Sequence, residues 1–523
     1  MLVFMLYHSY LNGGQFYKKI ISLILAVAML LSLCACGGSG SGNGGSSSSA
    51  NANLGFVEAK ENNPTTMGLF YRNTIGAPIA SDDADVKVID QKSDALLKTI
   101  EDAPDTLKAN GGATYYLSAD GDDKNDGLTP ETAKKDYMVL KTFLKAGDLV
   151  LFRRGDIFRG QVKLVSGVSY GAYGEGPKPR FYGSTDGLDG TWEETDTPNV
   201  YKFNQSIGNY SNIVFNSGEF VGRPVKNMKN ITKKPLNTCW QGKLYVYSPD
   251  GNPGEIFHHI EIVDGYSLFT GSDGDLTDVH VQNLCLMYAG VHGFGSLGYV
   301  KNMTIEGCVI GFMGGRDLLL QGKSLGNAIE FMGGANTVTV KNNYLFQCYD
   351  TGVTHQGPMT NARSADFDNI VYDNNLIEYC VWSIEIWIYA RNGPTAEDIA
   401  TGNTFTFGDV TVSNNICRYS GWGWGSLDRP DKNVYADLTY TSKNHVKPLV
   451  IKNNIFDRSR RNSINLQEGT DPAMLVIENN QIIGASNTRL AVLGGTCTDP
   501  AQLEAFLKQR ANTVSGNTAK IVK

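Results

Sequence analysis

The chain has 523 residues, 41% hydrophobic and 19% charged, a balance that excludes a wholly disordered chain and one embedded throughout in membrane. Its 46 basic and 53 acidic residues leave a formal charge of −7, without the basic footprint of a nucleic-acid binder. Glycine at 59 positions and asparagine at 43, most of the latter after residue 200, point to turns that need positive φ, and so to β structure with many corners rather than long helices.

Residues 1 to 17 are uncharged apart from His8; Lys18-Lys19 and an apolar run from Ile20 to Leu33 follow. At about 14 residues the run suits a signal segment and falls short of the roughly 20 that span a bilayer. It ends in Leu33-Cys34-Ala35-Cys36, followed at once by Gly37-Gly38 and a Gly/Ser tract to about Ala50. This order resembles the lipobox of bacterial lipoproteins. The resemblance implies that residues 1–35 are a signal peptide, that Cys36 carries the lipid, and that residues 36–62 are a flexible tether. It also implies export to the outer face of the bacterial cell membrane, with the lipid as the sole membrane attachment. Loss of Lys18 and Lys19 would leave 44 basic against 53 acidic residues, a balance of −9. Residues 63–111 then form an N-terminal extension, with a short helix expected around Ser93 to Glu101 on the N-terminal end of the following domain.

One phrase recurs through the rest of the chain: Val340-Lys341-Asn342-Asn343, Tyr372-Asp373-Asn374-Asn375, Val412-Ser413-Asn414-Asn415, Ile451-Lys452-Asn453-Asn454, Ile477-Glu478-Asn479-Asn480 and Val514-Ser515-Gly516-Asn517. Looser copies lie at Val281-Gln282-Asn283-Leu284 and Ile305-Glu306-Gly307-Cys308, and successive fourth positions are 24 to 40 residues apart. An apolar residue, an outward polar one and then Asn at a corner is the phrase of a parallel β-helix with loops of variable length. Asn tolerates the left-handed backbone of a sharp corner, and stacked Asn amides can bond from coil to coil. A second short strand follows in each coil, as in Ile329-Glu330-Phe331, Ile384-Glu385-Ile386 and Ile464-Asn465-Leu466. Cys239, Cys285, Cys308, Cys348, Cys380, Cys417 and Cys497 are odd in number and include no C-x-x-C pair; they read as free core thiols, with Cys348 and Cys380 stacked at one offset. The segment Pro500 to Arg510 is suited to a helix that helps close the C-terminal end.

Upstream, Thr114-Tyr115-Tyr116-Leu117-Ser118 leads into Gly121-Asp122-Asp123-Lys124-Asn125-Asp126-Gly127, then Gly147-Asp148-Leu149-Val150-Leu151-Phe152-Arg153-Arg154-Gly155-Asp156 and Tyr170-Gly171-Ala172-Tyr173-Gly174. This opening resembles the bacterial right-handed parallel β-helix proteins of the pectin-lyase-like superfamily. The resemblance implies an all-β, single-stranded right-handed solenoid over residues 112–523 and a polysaccharide substrate or ligand, and it leaves the reaction open. A monomer is expected.

Parallel coils stack about 4.8 Å apart, so one offset in successive coils makes a column on one face. Aligning the second strands puts His292, Glu330, Thr354 or His355, and Glu385 in such a column; a one-residue slip decides whether Thr354 or His355 faces out. With one coil between them, Glu330 and Glu385 should be about 9 to 10 Å apart, near the upper end of the roughly 6.5–9.5 Å that suits an inverting glycosidase. His355, His292 and Asp350 are placed in support, His355 as a group that tunes a carboxyl pKa. Trp382, Trp387, Trp422 and Trp424, with Tyr389 nearby, suit the apolar face of a sugar ring. Arg363, Arg391 and Asp428, in loops that interrupt the coil rhythm, are further binding candidates.

The acidic run Asp120 to Asp126 has oxygens for Ca²⁺ but lacks the EF-hand spacing; it reads as a turn, and no cofactor is otherwise expected. Three readings stand: a glycoside hydrolase on Glu330 and Glu385; a polysaccharide lyase or epimerase using His355 with Arg363 or Arg391; and a non-catalytic glycan-binding protein or adhesin.

Overall fold

A computed structural model of the chain describes residues 81–208, 210–271, 274–317, 324–357, 366–387, 406–428, 435–441, 446–466 and 471–522. From Thr114 onward the chain winds through three sheets, of eleven, ten and ten strands among the described residues, parallel throughout except for the closing pair Arg489–Val492 and Thr496–Cys497. Each complete coil gives one strand to each sheet, as in Ala335–Lys341, Tyr344–Phe346 and Ile329–Phe331. This is a parallel β-helix. Each coil thus has three strands where the sequence showed two, because the middle strand is only three residues long and directly follows the Asn pair.

The two asparagines of each phrase divide the work. The first holds the corner in the left-handed region, with φ of 54° at Asn342, 52° at Asn374 and 57° at Asn414. The second turns inward and builds a ladder. Asn415 Oδ1 accepts the Asn375 backbone N–H at 3.0 Å and its Nδ2 at 2.9 Å, and Asn415 Nδ2 donates to Tyr372 O at 2.9 Å and Asn454 Oδ1 at 3.0 Å. The same contacts link Asn343, Asn375, Asn415, Asn454, Asn480 and Asn517. Glu504, on the helix Leu503–Lys508, accepts from Asn517 N and Nδ2 at 3.3 and 3.4 Å, while Leu503 and Leu507 enter the core.

The core runs the length of the coil as stacked Val, Ile, Leu and Phe. All seven cysteines among the described residues are buried and unbridged. Cys348 and Cys380 stack at one offset, each Sγ facing the carbonyl two residues back. In the acidic run, Asp123 accepts the N–H groups of Lys135 and Asp136, Asp126 accepts from Leu128 N and Thr132 Oγ1, and Asp120 pairs with Arg153 at 2.6 Å.

Two features depart from the sequence expectation. The helix Ala84–Glu101 is longer than expected and lies along the outside of the middle sheet instead of on the N-terminal end. Lys520 of the last coil holds Asp83 and Asp85 at its start, Asp90 meets Arg418 and Arg458 midway, and Asn283 Nδ2 binds the carbonyls of Ala103 and Pro104 beyond its end. Residues 83 to 104 at about 1.5 Å each cover roughly 32 Å, which matches about 34 Å for the seven inter-coil steps between those anchors. The second departure lies between Tyr182 and Phe269, where the chain leaves the coil at the corner from middle to third sheet. There it builds a four- and a five-stranded sheet around their own core of Trp192, Phe203, Phe215, Leu244 and Ile260. Its hydrophobic alternation is that of any strand, and the repeat phrase is absent from it, so nothing in the coil pattern marked it.

Candidate active site

The third sheet fixes the column by its register: Gly295, Glu330, Thr354, Glu385, Thr439 and Asn465 are successive partners. Thr354, not His355, therefore takes the outward place between the glutamates. His355 turns into the core, fully buried, with its Nδ1 2.8 Å from the Tyr372 hydroxyl and its ring against Phe367 and Phe407. It is a packed core histidine and does not face either carboxyl.

His292 stands in the corner before strand Phe294–Ser296, yet its ring reaches the column. Gly295 makes room: a Cβ there would lie 3.1 Å from the His292 ring. Asn327 N–H donates to His292 Nδ1 at 3.2 Å. A backbone N–H can only donate, so Nδ1 accepts and the ring proton sits on Nε2, which points at Glu330 Oε2 in a short contact. Glu330 itself is only 3% exposed. Asn327 also ties the two carboxyls into one network, because its Oδ1 accepts Thr351 N–H at 2.9 Å and Thr351 Oγ1 lies 3.4 Å from Glu385 Oε2.

Glu385 is half-buried. Its Oε2 faces Gln356 Nε2 at 2.8 Å, Thr354 Oγ1 at 3.3 Å and Thr351 Oγ1, all from the preceding coil. All three contacts fall on the same oxygen. Both glutamates lean toward their preceding coil, so the separation stays near the two-step backbone value of about 9–10 Å. Gln356, Thr351 and Asn327 were missed in the sequence. Their roles depend on which way each coil leans, and residue spacing carries no sign of that.

The remaining candidates separate. Trp387 lies two residues beyond Glu385 on the same outward alternation, half-buried, beside Gln356 in register. Trp382 pairs with Thr351 and packs with Val381, Tyr435 and Ala436 at the edge of the column. Trp424 is core, packed on Phe312 and Tyr349. Trp422 is held at the corner by Arg458 O and the Arg460 guanidinium, 5.2 Å from its ring. Asp350 is the half-buried corner residue before Thr351, its carbonyl accepting from Val381 and Trp382. Arg363, Arg391, Tyr389, the Asp428 side chain and Cys36 lie outside the described residues.

Next to the column lies a further, buried carboxyl. Asp437 is fully buried; burial pushes its pKa well above the usual carboxylate range, against a 2.7 Å hydrogen bond from Ser420. Its Oδ2 has no partner among the described residues. A raised folded-state pKa contributes stability below the unfolded value near 3.9 and loses it as pH rises toward the folded value. Asp437→Asn should therefore raise the unfolding midpoint at pH 7, with the gain shrinking toward pH 4; thermal melts across that window check it.

No protein-family model matches the chain, and no curated protein matches it either. Among solved structures it is similar to XylC in complex with xylose, at 12% identity and a TM-score of 0.37, over 78% of this chain and 84% of that one. It is also similar to a GH136 lacto-N-biosidase from Eubacterium ramulus, at 14% identity and 0.36, over 79% and 68%. A third is the pectate lyase Pel9A, at 10% and 0.35, over 79% and 77%. Glycoside hydrolases and lyases thus stand side by side among the neighbours, and likenesses this weak carry no argument about reaction.

Proposed function

We propose that the protein is an exported glycan hydrolase, anchored through a lipid on Cys36, that cleaves a neutral polysaccharide with inversion. The observation that carries this reading is the pair of outward glutamates with one coil between them, each held differently. Glu330, facing the His292 Nε2 proton, takes the proton from the attacking water. Glu385, the more exposed of the two, gives a proton to the leaving oxygen. The separation of about 9–10 Å leaves room for that water between carboxyl and sugar. Trp387, beside Glu385, offers an aromatic face to a sugar ring. Among the described residues the column holds two carboxyls and no lysine or arginine next to them, which disfavours a polyuronate unless a cation intervenes.

The test is to incubate the protein without residues 1–35 with plant, algal and host polysaccharides. Reducing ends without new ultraviolet absorbance support the proposal. Unsaturated uronate products would replace it with a lyase, and binding without cleavage with a glycan-binding protein.

A further inference from the structure

The inserted unit between Tyr182 and Phe269 carries a constellation separate from the glutamate column. Strand Tyr210–Phe215 ends in a tight turn and pairs antiparallel with Ile260–Asp264, Phe215 opposite Ile260. That register brings Asn216–Gly218 against His259, with Asn216 N–H on His259 O at 2.7 Å. Ser217 Oγ then lies 2.8 Å from His259 Nδ1, and His259 Nε2 lies 2.9 Å from Glu261 Oε1.

The protons are determined by the neighbours. Ser217 N–H donates to His259 Nδ1 at 3.1 Å, so that nitrogen presents a lone pair. In the neutral ring the proton sits on Nε2 and points at Glu261. Glu261 is fully buried; burial opposes its charge, but His259 and the Arg159 guanidinium, at 2.8 and 3.0 Å, hold its pKa below the ordinary carboxylate range. Ser184 Oγ adds a third bond at 2.6 Å. The serine hydroxyl thus faces an imidazole lone pair, and the imidazole is backed by a carboxylate that remains charged.

The serine is also strained. Ser217 has φ 56° and ψ 26°, the left-handed region that L side chains rarely adopt. Gly218 follows at φ 106°, with the Phe312 ring lying where a side chain would be. Ser217 is half-buried and the His259 side chain 23% exposed, so the pair is reachable from outside.

We infer that Ser217, His259 and Glu261 form a serine-esterase triad that removes small acyl groups from carboxylic esters. Ser217 Oγ attacks the acyl carbon as His259 Nδ1 takes its proton. The carbon–oxygen bond to the alcohol breaks, and that proton leaves with the alcohol. Water then attacks the acyl-serine, His259 takes a proton from it and returns one to Ser217, and the carboxylic acid departs. Glu261 stabilises the imidazolium in both halves, and the Gly218 N–H, next after the nucleophile, is the first oxyanion donor. The ring is used with Nδ1 toward serine; either nitrogen serves, since the chemistry needs one lone pair and one N–H on opposite sides. That the alcohol is an acylated glycan rests on the function proposed above, because the insertion packs its Asn212 against Gly315, in the segment that leads to Glu330.

The full chain without residues 1–35 is treated with a fluorophosphonate probe and mapped by mass spectrometry, and its hydrolysis of p-nitrophenyl acetate is followed. The expected result is a single adduct on Ser217 and a loss of at least about 10²-fold in hydrolysis for Ser217→Ala and for His259→Asn. A wild-type protein that takes no adduct on Ser217, or a Ser217→Ala protein that hydrolyses the ester at the wild-type rate, overturns the triad. The adduct measurement needs no variant, so a misfolded substitution does not shelter the proposal. Neither readout involves glycan cleavage, so failure here leaves the carboxylate reading standing.

Discussion

Glu330→Gln is expected to lower glycan cleavage by about 10²–10⁴-fold, the usual contribution of a positioned general acid or base. The substitution keeps size and shape, and its amide oxygen still accepts from His292 Nε2, so binding should change little and the loss should fall on kcat. Glu385→Gln should lose as much on a polysaccharide but far less on an aryl glycoside, whose leaving group needs no proton. That split follows from the two proposed roles: Glu330 acts on the water, and Glu385, half-buried beside Trp387, acts on the leaving oxygen. Steady-state kinetics on both substrates measures it, and the reverse split would exchange the two roles.

The second large effect concerns the fold. Asn415→Ala removes the acceptor of Asn375 N–H and Nδ2 and the donor to Tyr372 O, all inside the corner. Asn375 Nδ2 keeps Val340 O, and the other two groups, at roughly 1–3 kcal/mol each when left without a partner, give an expected loss of about 2–6 kcal/mol in chemical denaturation. Asn414→Gly is the contrast. Asn414 has φ 57°, which glycine adopts freely, and its side chain makes an exposed 2.7 Å bond to Asp373. Its cost should stay within about 1 kcal/mol, near that of an exposed hydrogen bond. Equal effects at the two positions would contradict the division of labour between corner and ladder.

The repeat was legible because a β-helix writes its corners into the sequence. Positive φ and an inward amide both favour Asn, and the pair recurs wherever the corner does. The column of Glu330 and Glu385 was legible for the same reason, since parallel stacking turns equal offsets into neighbours. Its fine orientation was not. Thr354 and His355 are adjacent in sequence, and only the inward run of Gly352 and Val353 (two residues on one side) sets their phase: Val353 is core, and the space beside Gly352 is filled by Ile377 and Ser383. His292 was expected in the column and instead reaches it from the corner over a glycine. Ser217, His259 and Glu261 escaped notice because a register between distant strands brings Ser217 to His259, and no local motif surrounds the serine.

The most direct test of the carboxylate pair is the anomeric configuration of the first product, read by proton NMR before mutarotation. Glutamates about 9–10 Å apart with water between them predict inversion. A product that retains the configuration of the cleaved bond would require a carboxylate close enough to attack the sugar itself, and would contradict the assignment of Glu330 as base and Glu385 as acid.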